Sequence, residues 1–218
     1  IATVLVGIVR LFTSEQVALA GVPFAVHMLW CLILLGHQCW LARPVAGAGD
    51  NASGVAVLAL LAEALPPLAH SELWLVGTGA EEAGLYGMMH LLRAHRFDCG
   101  ASVFLNIDNV GAGPLRLISH EGILLPMAAD AATLQTAQEA ATGLGIAVKV
   151  DTYRALPVDS AIPLLRGFRA LSVLGSLKHW HQESDLPQAV DADTVAEAAA
   201  IAQATVERLD RKVTEPRP

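Results

Sequence analysis

Thr78-Gly79-Ala80-Glu81-Glu82-Ala83-Gly84-Leu85 places two adjacent carboxylates inside a run that is otherwise small and apolar. The segment before it, Leu73-Trp74-Leu75-Val76-Gly77, reads as a buried strand, and Gly87 to His95 after it reads as a helix. The acidic pair therefore falls on a strand-to-helix turn, and open α/β sheets bind their ligands outside the carboxyl ends of such strands. Neighbouring side chains on an extended turn point to different sides, so one carboxylate can grip a cation while the other faces a substrate. Acidic residues also stabilise the first turn of a helix as caps. The turn by itself leaves both uses open, and the rest of the chain has to decide between them.

The 218 residues are enough to bury one sizeable core, and no Pro/Gly/Ser-rich linker or run of charge divides them. With 54% hydrophobic and 16% charged residues, the composition suits a sheet covered on both faces. A formal charge of −7, with Lys and Arg scattered along the chain, argues against a nucleic-acid surface, which needs clustered cations. Cys31, Cys39 and Cys99 cannot all pair with one another and have neither CxxC nor zinc-finger spacing. The chain starts at Ile1 rather than Met, which is consistent with a leader or upstream segment lying outside this sequence.

Moving outward from the turn, Ala2 to Leu11 is β-branched and nearly continuous, which predicts a strand. Residues 17–36 are apolar over about the length of a membrane-spanning helix, yet Gly21, Pro23 and His27 favour two strands, Pro23 to Met28 and Leu29 to Leu35, that deliver His37 to a strand end. Asp50-Asn51-Ala52-Ser53-Gly54 opens a helix that Pro66-Pro67 terminates. Strands are expected at Ser102 to Ile107, ending in Asp108-Asn109, and at Leu115 to Ser119, Ile146 to Tyr153 and Ala170 to Leu174. Helices are expected at Pro126 to Thr142, after the Asp159-Ser160 cap, and at Asp193 to Leu209, with a frayed tail over 212–218.

His37, Asp50, Glu81, Glu82, Asp108 and His181 all fall at or just beyond predicted strand ends, on loops that a mostly parallel sheet brings to one rim. Two histidines and three carboxylates suffice for two zinc ions that share a bridging carboxylate, and the remaining acid can serve as a base. His27, His70, His90, His95 and His120 sit within or beside apolar elements, where a packed or solvent-tipped imidazole is the simpler assignment. His179 faces away from His181 if the two extend from a strand end.

In order and spacing, His37-Gln38-Cys39, Asp50-Asn51-Ala52-Ser53-Gly54, Glu81-Glu82-Ala83-Gly84-Leu85, Asn106-Ile107-Asp108 and His181-Gln182-Glu183-Ser184-Asp185 resemble the motifs of the co-catalytic zinc exopeptidases. That family includes secreted bacterial aminopeptidases, glutamate carboxypeptidases and, more distantly, glutaminyl cyclases. The resemblance covers roughly residues 30 to 210. It implies that Asp50 bridges two metals, that His37 and Asp108 hold one, that Glu82 and His181 hold the other, and that Glu81 is the general base acting on a metal-bridged water. It further implies that Asp159 lies near the substrate and that Asp185 orients His181.

Two departures stand out. Cys39 occupies the place of the Asp in the family's His-x-Asp, so the carboxylate that supports the metal site there is replaced by a thiol. Trp180 stands where many of the aminopeptidases have Tyr, and the Trp-His pair resembles that of glutaminyl cyclases; the indole N–H is the donor left for a developing oxyanion.

The expectation is a single domain over residues 1–218, with 1–36 an atypical apolar segment, folded as a three-layer α/β/α sandwich around a central mixed, mostly parallel sheet. The function expected is that of a di-zinc aminopeptidase acting on peptide substrates. A single-zinc acyltransferase like the glutaminyl cyclases stands as the alternative chemistry, and a catalytically impaired domain held at a membrane through residues 17–36 as the alternative from another class. The resemblance also implies an extracytoplasmic or secreted location.

Overall fold

The computed structural model describes residues 15–41 and 43–213, so the predicted strand Ala2 to Leu11 and the last five residues of the tail lie outside the described residues. The chain divides into two units, one up to Pro44 and the other from Val45 onward.

In the first unit, helix α1 (Glu15–Trp40) replaces the two strands expected between Pro23 and Leu35. An apolar run without alternation leaves strand and helix indistinguishable by period, and a run this long exceeds ordinary strands. His27 Nε2 and Cys31 Sγ, 3.6 Å apart, meet across one helical turn. Among the described residues, no helix is long and apolar enough to cross a membrane.

The second unit begins with an irregular wide turn, Ala48–Ala52. It continues with α2 (Ser53–Ala64), α3 (Tyr86–Ala94), β1 (Val103–Asp108), β2 (Arg116–Glu121), β3 (Met127–Ala128), α4 (Ala131–Leu144), β4 (Lys149–Tyr153), α5 (Ala161–Leu165), β5 (Arg169–Leu174) and α6 (Ala192–Lys212). The sheet runs β1-β5-β2-β3, with β4 also paired to β2. β1 lies parallel to β5 with Asn106 opposite Ser172, β2 lies parallel to β4, and β2 is antiparallel to both β5 and β3.

Alternation along the strands explains the layers. On β2 and β5, Leu117 and Val173 join one buried cluster while their neighbours Ile118 and Leu174 join another, as successive side chains must point to opposite faces. The first cluster takes in Val57 and Leu61 of α2, Ala137 and Ala141 of α4, and Ala198, Ile201 and Ala202 of α6. Runs of alanine let these helices approach the sheet and one another closely, which is how an Ala-rich sequence still forms a dense core. The second cluster adds Tyr153 and Val158. A mixed sheet covered on both faces is the three-layer α/β/α arrangement expected.

Two expectations change. The helix predicted from Pro126 starts later, at Ala131, because Asp130 caps it through Thr133 N at 2.8 Å, while Met127–Ala128 pairs with β2 instead. The strand predicted over Leu73 to Gly77 forms no ladder among the described residues, and Leu73, Trp74, Leu75 and Val76 remain partly exposed. Side chains tie this segment to the sheet. Trp74 meets Phe97 edge-on at 5.4 Å, and Phe97 meets Phe104 of β1 at 5.5 Å.

Candidate metal centre

The turn carrying Asp50 is held from three sides. The carboxylate of Asp185, only 2% exposed, accepts from Gly49 N at 2.6 Å and Asp50 N at 3.0 Å. Ser53 Oγ donates to Gly49 O at 2.6 Å. Asn51 Oδ1 accepts from Gly54 N at 2.9 Å and from Asn109 N at 3.1 Å, and Asn51 Nδ2 donates to Ile107 O at 3.1 Å. The Asp50-to-Gly54 motif thereby clamps the start of α2 onto the end of β1, where Asp108 sits. A Cβ on Gly54 would stand 2.6 Å from Ile107 O, so only glycine permits the approach.

The glutamate turn is equally constrained. Leu85 N donates to Glu81 O at 2.8 Å and Tyr86 N to Ala80 O at 3.2 Å. Leu85 is buried beneath the turn, and Gly87 passes so close to Gly79 that a Cβ would lie 2.2 Å from its carbonyl oxygen. Helix α3 starts only at Tyr86, with Leu85 at its cap position and no acidic residue in its first turn. Glu81 and Glu82 are therefore not helix caps, which leaves the use of the pair as site carboxylates.

His181 completes the group. Its Nε2 lies 2.7 Å from Glu82 Oε1 and 3.4 Å from Asp50 Oδ2, and its ring stacks on Trp180 with centroids 4.1 Å apart. Ligand atoms of Asp50, Glu82 and His181 all lie within 4.8 Å of one another. Glu81, Asp108 and Tyr153 line the same cleft. Non-glycine residues in the left-handed backbone region fall beside or within this site: Ala80, Leu85, Asn109 and His181, with φ of 54, 62, 51 and 56°. Each such residue costs about 1–2 kcal/mol, and strain of this kind persists where surrounding contacts enforce it, as at active sites.

Crowded carboxylates raise one another's pKa. Burial first, and then the charges of Asp108, Glu82, Asp159 and Asp50, push Glu81 up to about 8. Burial, with Asp50, Asp159 and Glu82, pushes Asp108 up to about 7, although the Asn109 amide partly offsets this. Asp50 is raised by burial and by Glu82, against the opposing pull of His181. Carboxylates that destabilise one another's ionised forms, with an imidazole beside them, are a donor set suited to a divalent cation, whose charge reverses that penalty. Oxygen and imidazole nitrogen ligands are those that zinc accepts.

The structure thus brings Asp50, Glu81, Glu82, Asp108 and His181 to one cleft of the second unit, with Trp180 beside them. His37 lies in the last turn of α1, in the first unit, and not at a strand end; Cys39 is an exposed residue of the same helix. Asp185 meets the backbone of Gly49 and Asp50 rather than an imidazole. Asp159 is buried and accepts a hydrogen bond from Thr78 Oγ1. Tyr153, Asn51 and Thr78 escaped the sequence reasoning. Asn51 is visible inside its motif, whereas nothing local marks Tyr153 or Thr78.

Comparison with known proteins accords with this fold. Among solved structures, the chain superposes on the aminopeptidase from Aneurinibacillus sp. strain AM-1 with a TM-score of 0.66 at 22% identity, over 77% of this chain and 40% of that one. It superposes on the zinc aminopeptidase BSAP from Bacillus subtilis with 0.59 at 21%, over 77% and 43%. For a glutaminyl cyclase from an Acidobacteriales bacterium the values are 0.53 and 17%, over 76% and 63%. The chain thus spans less than half the length of these two aminopeptidases. No curated protein matches it in sequence. The family model of peptidase family M28 matches residues 31–206, most of the chain, and the protein belongs to that family.

Proposed function

We propose that this protein is a zinc-dependent metallopeptidase that removes N-terminal residues from peptides. The observation that carries the proposal is the convergence of Asp50, Glu82 and His181 within 4.8 Å, with Glu81 and Asp108 facing the same cleft. Asp50, Glu82, Asp108 and His181 would hold the metal. The chemistry zinc supplies when bound is polarisation of the scissile carbonyl and a lowered pKa for water, together worth several kcal/mol of charge stabilisation.

The protein's own part is proton handling and placement. Glu81 is held by the turn hydrogen bonds from Gly84 N and Leu85 N to its own carbonyl, so its carboxylate stays in the cleft. From there it takes the proton of the attacking water and returns it to the leaving amine. A carboxyl placed beside the metal-holding residues without being one of them can serve both halves of that exchange. Trp180, stacked on His181, lines the cleft together with the apolar side chains of Leu177 and Val158.

The test compares two substitutions at adjacent positions. Glu81→Gln should keep its zinc and lose about 10²- to 10⁴-fold in turnover of an aminoacyl amide. Glu82→Ala should shed metal, because the site it leaves is incomplete. If Glu81→Gln turns over at the parent rate or sheds zinc, Glu81 is not the base. If the zinc-loaded parent cyclises N-terminal glutamine and leaves aminoacyl amides intact, the acyltransferase alternative replaces the peptidase.

A further inference from the structure

Behind the cleft, at the far end of β2, lies a second carboxyl that the proposed chemistry does not use. Glu121 is 2% exposed, and its hydrogen-bond partners are both hydroxyls: Ser160 Oγ donates to Glu121 Oε2 at 2.5 Å and Ser172 Oγ at 3.3 Å. Ser160 and Ser172 are themselves fully buried and 2.5 Å apart, and Asn106 Nδ2 of β1 reaches Ser172 Oγ at 3.3 Å. The other carboxyl oxygen, Oε1, is buried with no partner among the described residues. Burying a carboxyl oxygen without a partner is costly, so the two hydroxyl contacts on Oε2 carry the anchoring of this side chain. Burial raises the pKa of Glu121, against the opposing effect of the hydrogen bonds from Ser160 and Ser172.

Ser160 is the residue after Asp159, and Asp159 accepts from Thr78 Oγ1, three residues before Glu81. A continuous chain of contacts therefore joins the sheet interior to the glutamate turn: Asn106, Ser172, Glu121 and Ser160 across the strands, then Asp159 and Thr78. The other ties of the turn are the burial of Leu85, the bonds from Gly84 N and Leu85 N to Glu81 O and from Tyr86 N to Ala80 O, and the contact of Glu82 with His181. Among the described residues, the segment leading into it makes no strand pairing.

We propose that Glu121 is a positioning residue, whose buried carboxyl fixes Ser160 and Asp159 and through them, by way of Thr78, the turn that presents Glu81 and Glu82. Its importance for catalysis rests on the function proposed above, but its effect on the turn does not, and the two can fail separately. Gln is the conservative replacement, because a neutral amide keeps an acceptor for Ser160 and carries the same shape. Ala removes the anchor.

Hydrogen exchange followed by mass spectrometry on the metal-free protein reads the turn directly. Glu121→Ala should accelerate exchange in peptides covering residues 78–85 about tenfold, the worth of one lost hydrogen-bond anchor, while β1 and β5 exchange at the parent rate. Glu121→Gln should restore slow exchange. Ser160→Ala, which leaves the carboxyl in place but cuts the chain of contacts, should reproduce the acceleration and serves as the second variant if Glu121→Ala does not fold. In zinc-binding titrations the same two Ala variants should bind about tenfold more weakly, as losses of supporting groups commonly do. Parent-like exchange in the turn of Ser160→Ala or Glu121→Ala overturns the proposal. So does acceleration spread evenly over the whole sheet, which would mean that Glu121 only stabilises the core. A parent that binds zinc yet hydrolyses nothing would sink the peptidase reading and leave the exchange result standing.

Discussion

Replacing Asp185 by Asn changes one oxygen to an amide nitrogen in a position that the structure defines closely. The parent carboxylate is buried and accepts from two backbone amides, Gly49 N and Asp50 N, at 2.6 and 3.0 Å. Hydrogen bonds to an ionised acceptor contribute about 1.5–3 kcal/mol each. Asn can keep one of them through its carbonyl oxygen, but its NH2 then points at the other N–H, so one bond is lost and a buried donor is left bare. The expected loss is about 2–4 kcal/mol, and Asp185→Ala, which strands both amides, should cost about 2–6 kcal/mol. A domain with an ordinary stability of about 5–15 kcal/mol survives the first change.

Urea unfolding of the metal-free protein is the appropriate assay, because the hydrogen bonds exist without zinc. The midpoint should fall with an unchanged slope. If Asp185→Asn unfolds at the parent midpoint without metal and loses stability only in the zinc-loaded form, the residue acts through His181, as the family resemblance implies, and the reasoning from the Gly49 and Asp50 amides is refuted.

Stability against pH should carry the mark of the crowded carboxylates. Glu81 and Asp108 have folded pKa values of about 8 and about 7 against ordinary values of 4.5 and 3.8. A raised carboxyl pKa contributes stability that is fully present below the unfolded value and is lost as pH rises through the folded one. The metal-free protein should therefore melt at progressively lower temperature from about pH 4 to about pH 8. Saturating zinc should flatten the trend, and a metal-free melting temperature that climbs across that window would contradict it. Gly87→Ala should cost about 1–3 kcal/mol, since the new Cβ would lie 2.2 Å from Gly79 O and the glutamate turn must open to admit it. Thermal unfolding measures the cost, and zinc affinity should fall with it.

Much of the site is legible along the chain because its chemistry is local. Asp50-Asn51-Ala52-Ser53-Gly54 shows its own logic, since one Asn side chain satisfies the helix start and the end of β1, and the glycine is dictated by a 2.6 Å approach. The paired glutamates, the acid at the end of β1 and His181 carry their spacing in the sequence, and a short apolar run buried on both faces marks β5. Tertiary structure alone decided three matters. Residues 17–36 are apolar in every direction, so period cannot separate strand from helix, and the chain there is helical to Trp40, with His37 in its last turn. Leu73 to Gly77 has a strand's composition but makes no ladder among the described residues, because a strand is defined by a partner that no stretch of sequence contains. The supports of the site, Asp185 to the Asp50 turn, Asp159 to Thr78 and Glu121 to Ser160, join residues 135, 81 and 39 positions apart. Such contacts arise only when separate elements pack together, and their worth depends on burial that composition does not reveal.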